Sequence, residues 1–251
     1  MVGKKIYFVS DQHFGAPDPQ KSLVREKHFV NWLDLVKEDA ETIFLLGDLF
    51  DFWFDYKEVV PKGFVRVLGK LAELKDKGIQ LIFFVGNHDL WMKDYFEEEL
   101  EIPIYRAPKA FLLQGKTFLL GHGDGLGPGD TSYKMMKKVF VNPFFNWLYR
   151  WFHPDLGVAL AKYLSTKNKM ISGKEDVHFL GEEEFLIQYC KEVLQTKHYD
   201  YFVFGHRHLP MIYDLPQNSK YINTGDWVDY FTYGVLENGS FELKDFKINK
   251  V

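Results

Sequence analysis

Thr42-Ile43-Phe44-Leu45-Leu46-Gly47-Asp48-Leu49-Phe50-Asp51 is an apolar run that stops at a glycine and then presents a carboxylate. Read alone it is a strand followed by a turn, because Gly-Asp is ordinary turn chemistry. It decides the fold because the same event recurs along the chain. Lys5-Ile6-Tyr7-Phe8-Val9 runs into Ser10-Asp11-Gln12-His13, and Leu81-Ile82-Phe83-Phe84-Val85 runs into Gly86-Asn87-His88-Asp89. Thr117-Phe118-Leu119-Leu120 leads to Gly121-His122-Gly123-Asp124, and Tyr201-Phe202-Val203-Phe204 to Gly205-His206-Arg207-His208.

Side chains from separate strands meet only if those strands lie side by side with their carboxyl ends facing one way. Continuous apolar runs suit strands covered on both faces, and the rim beyond their carboxyl ends is where open α/β folds bind ligands. The intervening segments fit helices. Phe29, Trp32, Leu33 and Val36 share one face of a helix predicted over 23–38, and Val65, Leu68, Leu71 and Ala72 share one over 63–77 that Gly78 ends. Strand, helix, strand order argues for βαβ units in the first half. After Ile104 the runs shorten around turns such as Gln114-Gly115-Lys116, which predicts antiparallel strands. A further helix is expected over 182–195, and Glu237-Asn238-Gly239-Ser240 reads as a hairpin. The expected fold is α/β, a two-sheet sandwich flanked by helices.

Residues 126–180 interrupt that order. After the loop Leu126-Gly127-Pro128-Gly129-Asp130 the sequence turns helical and aromatic, with Phe144, Phe145, Trp147, Tyr149, Trp151 and Phe152, and basic residues punctuate it from Lys134 to Lys174. The expectation is one domain over 1–251 with an inserted helical cap at 126–180. Packing accounts for some of these rings, yet an insertion of this size cannot turn all of them inward, so a partly exposed groove is expected.

With 251 residues, 46% of them hydrophobic, the chain can bury a sizeable core. Its formal charge of −4 gives no general attraction to nucleic acid, and nothing in the chain implies an obligate protein partner. Cys190 is the one cysteine; it excludes an intramolecular disulfide, fits a reducing compartment, and reads as a buried thiol within a helix. The chain enters a strand directly after Lys4, and no run reaches the roughly 20 apolar residues of a spanning helix. A cytoplasmic location is the expectation.

Carboxylate, amide oxygen and imidazole are the groups that hold hard divalent metals able to activate water. The strand ends gather these and no sulfur, which rules out a cysteine-based structural zinc site. Two clusters sharing a carboxylate fit two-metal hydrolysis, in which paired ions clamp the attacking and leaving oxygens. A lone Asp11 or His122 would read as a turn or polar core residue, but seven potential ligands at five strand ends reverse that reading. His28, His153, His178 and His198 fall outside the pattern and read as surface or packing residues.

Asp11-x-His13, Gly47-Asp48-x-x-Asp51, Gly86-Asn87-His88-Asp89, Gly121-His122 and Gly205-His206-x-His208 together resemble the calcineurin-like metallophosphoesterase superfamily, in full and in order. The resemblance implies one metal held by Asp11, His13, Asp48 and His208 and a second by Asp48, Asn87, His122 and His206, with Asp48 bridging. It makes Asp48, Asn87 and His88 the catalytic residues, His88 acting as acid or phosphate donor and Asp89 orienting a ligand. Manganese is the metal it implies. A narrower resemblance, to the UDP-2,3-diacylglucosamine pyrophosphatases of lipid A synthesis, covers nearly the whole chain. It rests on Gly47 to Trp53, the spacing from His122-Gly123-Asp124 to Asp130 and Tyr133, Asn142-Pro143, and the basic helical insertion. His88 stands where many members carry Arg.

That resemblance implies hydrolysis of an acylated UDP-sugar to UMP and 2,3-diacylglucosamine 1-phosphate, on the cytoplasmic face of the inner membrane. Substrate contacts are then expected at Asn87, His88, Asp130, Tyr133, Lys169, Lys174 and His206. The insertion independently fits an anionic amphiphile, since it pairs apolar surface with cations, and burying acyl chains contributes about 0.8 kcal/mol per methylene. Two other readings remain: a metallophosphoesterase acting on a soluble phosphodiester or nucleotide, and a non-catalytic scaffold at the membrane, which would ordinarily have lost ligands.

Overall fold

A computed structural model describes residues 4–129, 131–161, 163 and 179–246. Asp130, Lys169, Lys174 and His178 lie outside the described residues. Two sheets face each other. The first has the order β11-β10-β1-β2-β3-β4, where β1 (Lys5–Val9), β2 (Ala40–Leu45), β3 (Gln80–Phe84) and β4 (Ile104–Tyr105) run parallel. The hairpin of β10 (Thr232–Glu237) and β11 (Ser240–Asp245) joins it antiparallel to β1. The second has the order β5-β6-β7-β9-β8, formed by β5 (Lys109–Leu113), β6 (Lys116–Leu120), β7 (Tyr201–Phe204), β8 (Met211–Asp214) and β9 (Lys220–Asn223).

The strand runs are continuously apolar because each strand is covered on both faces. Ile6, Phe8, Phe44, Leu46 and Phe84 of the first sheet meet Phe118, Leu120, Val203 and Ile222 of the second. Phe8 stacks on Phe44 and on Phe118, with ring centroids 5.2 and 5.8 Å apart. The alternate residues Tyr7, Val9, Ile43, Leu45 and Phe83 turn outward, beneath the helices α1 (Pro19–Val36) and α2 (Val65–Asp76). On the far side Leu119, Phe202 and Phe204 pack under α7 (Phe185–Leu194), with Cys190 wholly buried among them. Burial pushes that thiol well above its ordinary pKa, as befits a packing residue. A short α3 (Tyr95–Glu99) precedes β4.

Two expectations are corrected by this architecture. Helix α1 starts four residues before the predicted boundary, because Asp18 accepts hydrogen bonds from the Gln20 and Lys21 amides (3.0 and 2.9 Å) and Pro19 occupies the first turn. Asp-Pro, which as turn-forming residues would read as a loop, is there a helix start. The second sheet is also not simply antiparallel: β6, β7 and β9 run parallel. The long helical excursion between β6 and β7 is the crossover that a parallel pair requires.

That excursion contains α4 (Thr131–Phe140), α5 (Pro143–Arg150), capped by Asn142, and a further helix α6 over 154–161. It is seated on the loops after β2 and β3. Trp91 donates its indole N–H to Phe140 O (2.7 Å), and Tyr149 packs against Trp91 and Phe54 with centroids 4.8 and 4.7 Å away. The opposite face of α5 is open, with Trp151, Phe144 and Trp147 exposed by 74%, 61% and 54%. Among the described residues no helix is long and apolar enough to cross a membrane.

Candidate metal centre

β1, β2 and β3 end side by side in one sheet, β6 and β7 in the other, and the five polar turns meet at one rim. The backbone there is forced. Asp11, His13, Asp48, His206 and His208 have φ of 58°, 46°, 54°, 70° and 55°, a region that costs a non-glycine residue about 1–3 kcal/mol. Hydrogen bonds between neighbouring turns hold it: Asp11 N–H donates to Gly47 O (3.0 Å), His13 N–H to Asp48 O (2.9 Å) and His206 N–H to Asp11 Oδ2 (3.0 Å). Glycine precedes Asp48, Asn87, His122 and His206, where space is short. A Cβ on Gly86 would collide with Asp48 Oδ1, and one on Gly205 with Ser10 Oγ.

Asp48 sits at the middle, 1% exposed. Its Oδ1 accepts the His88 amide (2.8 Å), while Oδ2 lies 3.4 Å from His122 Nε2 and 3.7 Å from His13 Nε2. On one side Asp11, His13 and His208 bring ligand atoms within 4.8 Å of one another; on the other, Asp11 and Asp48 do so with His122. His122 Nε2 is 3.1 Å from Asn87 Oδ1, and the His206 ring is 5.2 Å from that of His122. All seven residues read as ligands therefore share this rim.

The donor set fits cations on its tautomers alone. A carbonyl can only accept, so the His122 Nδ1 that lies 2.8 Å from Leu46 O carries the ring proton and leaves Nε2 a bare acceptor facing a carboxylate. His208 is held in the same way, Nδ1–H donating to Asp226 Oδ2 (3.0 Å), with Nε2 3.2 Å from His13 Nε2 and 3.4 Å from Asp11 Oδ1. Asp11 Oδ1 is buried with no hydrogen-bond donor. Acceptors converging on acceptors repel unless positive charge sits among them. The titration of the groups shows the same demand for positive charge, which a proton on His122 Nε2 would answer as an ion would. Burial opposes charge on His122, yet the Asp48 carboxylate drives its pKa well above the ordinary value. Burial alone would raise Asp48, but His122, His88 and His13 hold it well below the usual carboxylate range. His206 is pushed down to about 3 by burial and by His122, which keeps the ring neutral.

Around this set lies a layer of orienting contacts. Asp89 accepts the Gly86 and Leu49 amides (2.7 and 2.9 Å), tying the turn that bears Asn87 to the one that bears Asp48. Burial and the neighbouring Asp48 raise its pKa to about 7. Asp51 Oδ1 lies 3.5 Å from His13 Nδ1 and 3.6 Å from His88 Nδ1, and His88 Nδ1 donates to Asp51 O (2.9 Å). His88 Nε2 is then the ring atom left for a ligand. Tyr133, expected at substrate, has its hydroxyl donated to Asp124, which also receives Lys137.

Three orienting residues were missed by reading the sequence. Asp226 fixes His208 and is itself fixed, its Oδ1 accepting the Val228, Asp229 and Tyr230 amides. Its signal in the chain is weaker, since the strand Lys220–Asn223 holds only Tyr221 and Ile222 as apolar residues before Asn223-Thr224 leads to Gly225-Asp226. Glu184, just before α7, grips Arg207 through two hydrogen bonds of 2.9 Å and so clamps the turn between His206 and His208. Those two residues lie 23 positions apart with no pattern linking them.

A profile of the calcineurin-like phosphoesterase family matches residues 4–210. A UDP-2,3-diacylglucosamine hydrolase of Porphyromonas gingivalis is 36% identical over 256 residues, covering 97% of this chain and 98% of that protein. Proteins of the same name from Hahella chejuensis and Actinobacillus succinogenes are 28% and 25% identical, over 97% and 93% of this chain and 98% and 95% of theirs. The profile takes in the whole rim from Asp11 to His208 and the relatives extend through the helical excursion, so the chain belongs to the calcineurin-like phosphoesterase family.

Proposed function

We propose that this protein is a dinuclear metal-dependent hydrolase that cleaves the pyrophosphate of UDP-2,3-diacylglucosamine to UMP and 2,3-diacylglucosamine 1-phosphate, as its relatives' name suggests. Asp11, His13, Asp48 and His208 would hold one divalent ion and Asp48, Asn87, His122 and His206 the other, manganese being the metal proposed. Bound there, the pair supplies neutralisation of phosphoryl charge and an acidified water.

The chain's own groups do the rest. Asp51 and the Asp48-bound amide hold His88, whose Nε2 would give a proton to, or hold, a phosphate oxygen of the departing group. Asp89 keeps the Asp48 and Asn87 turns in register. The helical excursion over 126–180 serves as the substrate lid; Asp130, Lys169 and Lys174 are proposed to meet substrate there, whereas Tyr133 would act by holding Asp124 in place.

One observation carries the substrate. A cavity of about 610 Å³ opens beside Asp51 and Gly15, walled by Phe14, Phe52, Val59, Phe64 and Val158 between the rim and α6. A chamber that is mostly apolar, though Lys62, His153 and Asp155 also line it, suits acyl chains next to a phosphoester centre, whereas a soluble nucleotide has no use for one. The exposed rings of α5 would rest on the cytoplasmic face of the inner membrane, where such a substrate resides.

Phosphorus NMR of manganese-loaded protein tests the reading, with UDP-2,3-diacylglucosamine as substrate and UDP-N-acetylglucosamine as the unacylated control. UMP and the sugar 1-phosphate should appear from the acylated compound alone, and EDTA should abolish them until manganese is restored. Cleavage of a simple aryl phosphodiester with neither UDP-sugar touched would leave the metal chemistry standing and discard the substrate.

A further inference from the structure

We infer that a second cavity, on the opposite side of the metal centre, receives the nucleoside monophosphate half of the substrate; this rests on the reading just proposed. The cavity has a volume of about 510 Å³, within the roughly 300–1,000 Å³ of small-molecule sites. It abuts His122 and Asp124, and its lining shares no residue with the apolar chamber beside Asp51. The two cavities therefore approach the rim from its two ends, one at the Asp51–His13 end and one at the His122 end.

Their apolar character is similar, and what differs is charge: the first cavity sets Lys62 against Asp51 and Asp155, whereas the second carries an excess of cations, as a phosphate-bearing half of the substrate demands. Arg106, Lys134, Lys137 and Lys138 line the second cavity against a single carboxylate, Asp124. Lys137 is bound to that carboxylate. Among the described residues Arg106, Lys134 and Lys138 have no carboxylate partner: Arg106 donates to the Met92 and Lys93 carbonyls (2.7 and 2.9 Å) and Lys134 to Gly127 O (2.5 Å). Carbonyl contacts orient these cations without neutralising them, so their charge remains for a phosphate. Val85 and Pro108 give the same cavity an apolar wall on which a base can lie. A phosphate, a sugar and a planar ring are what such a lining recognises. The pyrophosphate then spans Asp48, with the acyl groups toward Phe52 and the nucleotide toward Lys138.

The test is calorimetric binding of UMP, of inorganic phosphate and of 2,3-diacylglucosamine 1-phosphate to the manganese-loaded protein and to the double variant Arg106→Glu with Lys138→Glu. Both side chains are exposed, and an unchanged thermal melt checks the fold. UMP affinity is expected to fall at least about tenfold, as for loss of charge-assisted contacts, while the acylated product changes by less than about threefold. A second variant, Val158→Trp, should do the reverse. Equal loss for both products, or UMP affinity insensitive to the charge reversal, would overturn the inference even if the wild type cleaves UDP-2,3-diacylglucosamine. Inorganic phosphate binding as tightly as UMP would also overturn it, because the nucleoside would then contribute nothing. Conversely, charge-dependent UMP binding by a protein that cannot cleave the lipid would discard the proposed substrate and keep the cavity.

Discussion

The rim and the helical excursion above it are made of opposite materials. At the rim, Asp11, His13, Asp48 and His122 are at most 3% exposed and each is held by partners from another turn. On α5 and at its C-cap, Phe144, Trp147 and Trp151 face outward with half or more of their surface open. The first region is polar and buried, the second apolar and exposed, and each inverts the ordinary rule for a globular chain. The first suits the divalent ions that the family implies, and the second is the surface proposed above to meet an amphiphile or its bilayer.

If the rim is a preorganised centre, removing its middle should hurt most. Asp48→Ala is expected to lower turnover by at least about 10²–10³-fold, the order for deleting one preorganised electrostatic group, with circular dichroism unchanged; wild-type rates under saturating manganese would break the comparison. Next comes the clamp. Glu184 is 1% exposed and pairs with Arg207, so Glu184→Ala should cost about 3–5 kcal/mol of stability in urea unfolding. A loss below 1 kcal/mol would mean that the pair behaves as a surface contact. Asp226→Asn should weaken manganese binding at one of two sites by about 10–100-fold, read from metal stoichiometry in a dialysis titration; loss at both sites equally would place Asp226 outside the His208 side. The smallest folding effect belongs to the other region. Trp147→Ala with Trp151→Ala should change stability by no more than about 0.5 kcal/mol each, yet reduce sedimentation with anionic vesicles. A large destabilisation would show that these rings pack inward after all.

The rim was legible because its grammar is local. An apolar run that ends in Gly-Asp, Gly-Asn or Gly-His states both the strand and the ligand, and parallel strands then bring the ends together without further information. Asp226 obeys that grammar only in part, since the polar Asn223 and Thr224 separate Tyr221-Ile222 from Gly225-Asp226, which follows the last His-x-His by 18 residues and passes for a turn. Glu184 and Arg207 were illegible for a different reason, since a buried ion pair joins elements that only the tertiary fold brings together. The parallel order of β6, β7 and β9 was hidden similarly: short strands look alike in either direction, and the direction is set by the length of what connects them. Tyr133 was read from matched spacing alone, and what the structure adds is a hydroxyl that donates to Asp124.

The left-handed backbone at Asp11, His13, Asp48, His206 and His208 constrains the chain in a way that catalysis does not explain. Asn, Asp and Gly tolerate that conformation, and β-branched residues do not. A library randomised at these positions and sorted for folding alone, with no demand for hydrolysis, would therefore still refuse Val and Ile and still return Asn and Gly. Residue choice at the rim is thus constrained twice, once by the ions that the family implies and once by the turns, and a descendant that abandoned the reaction would keep the second constraint.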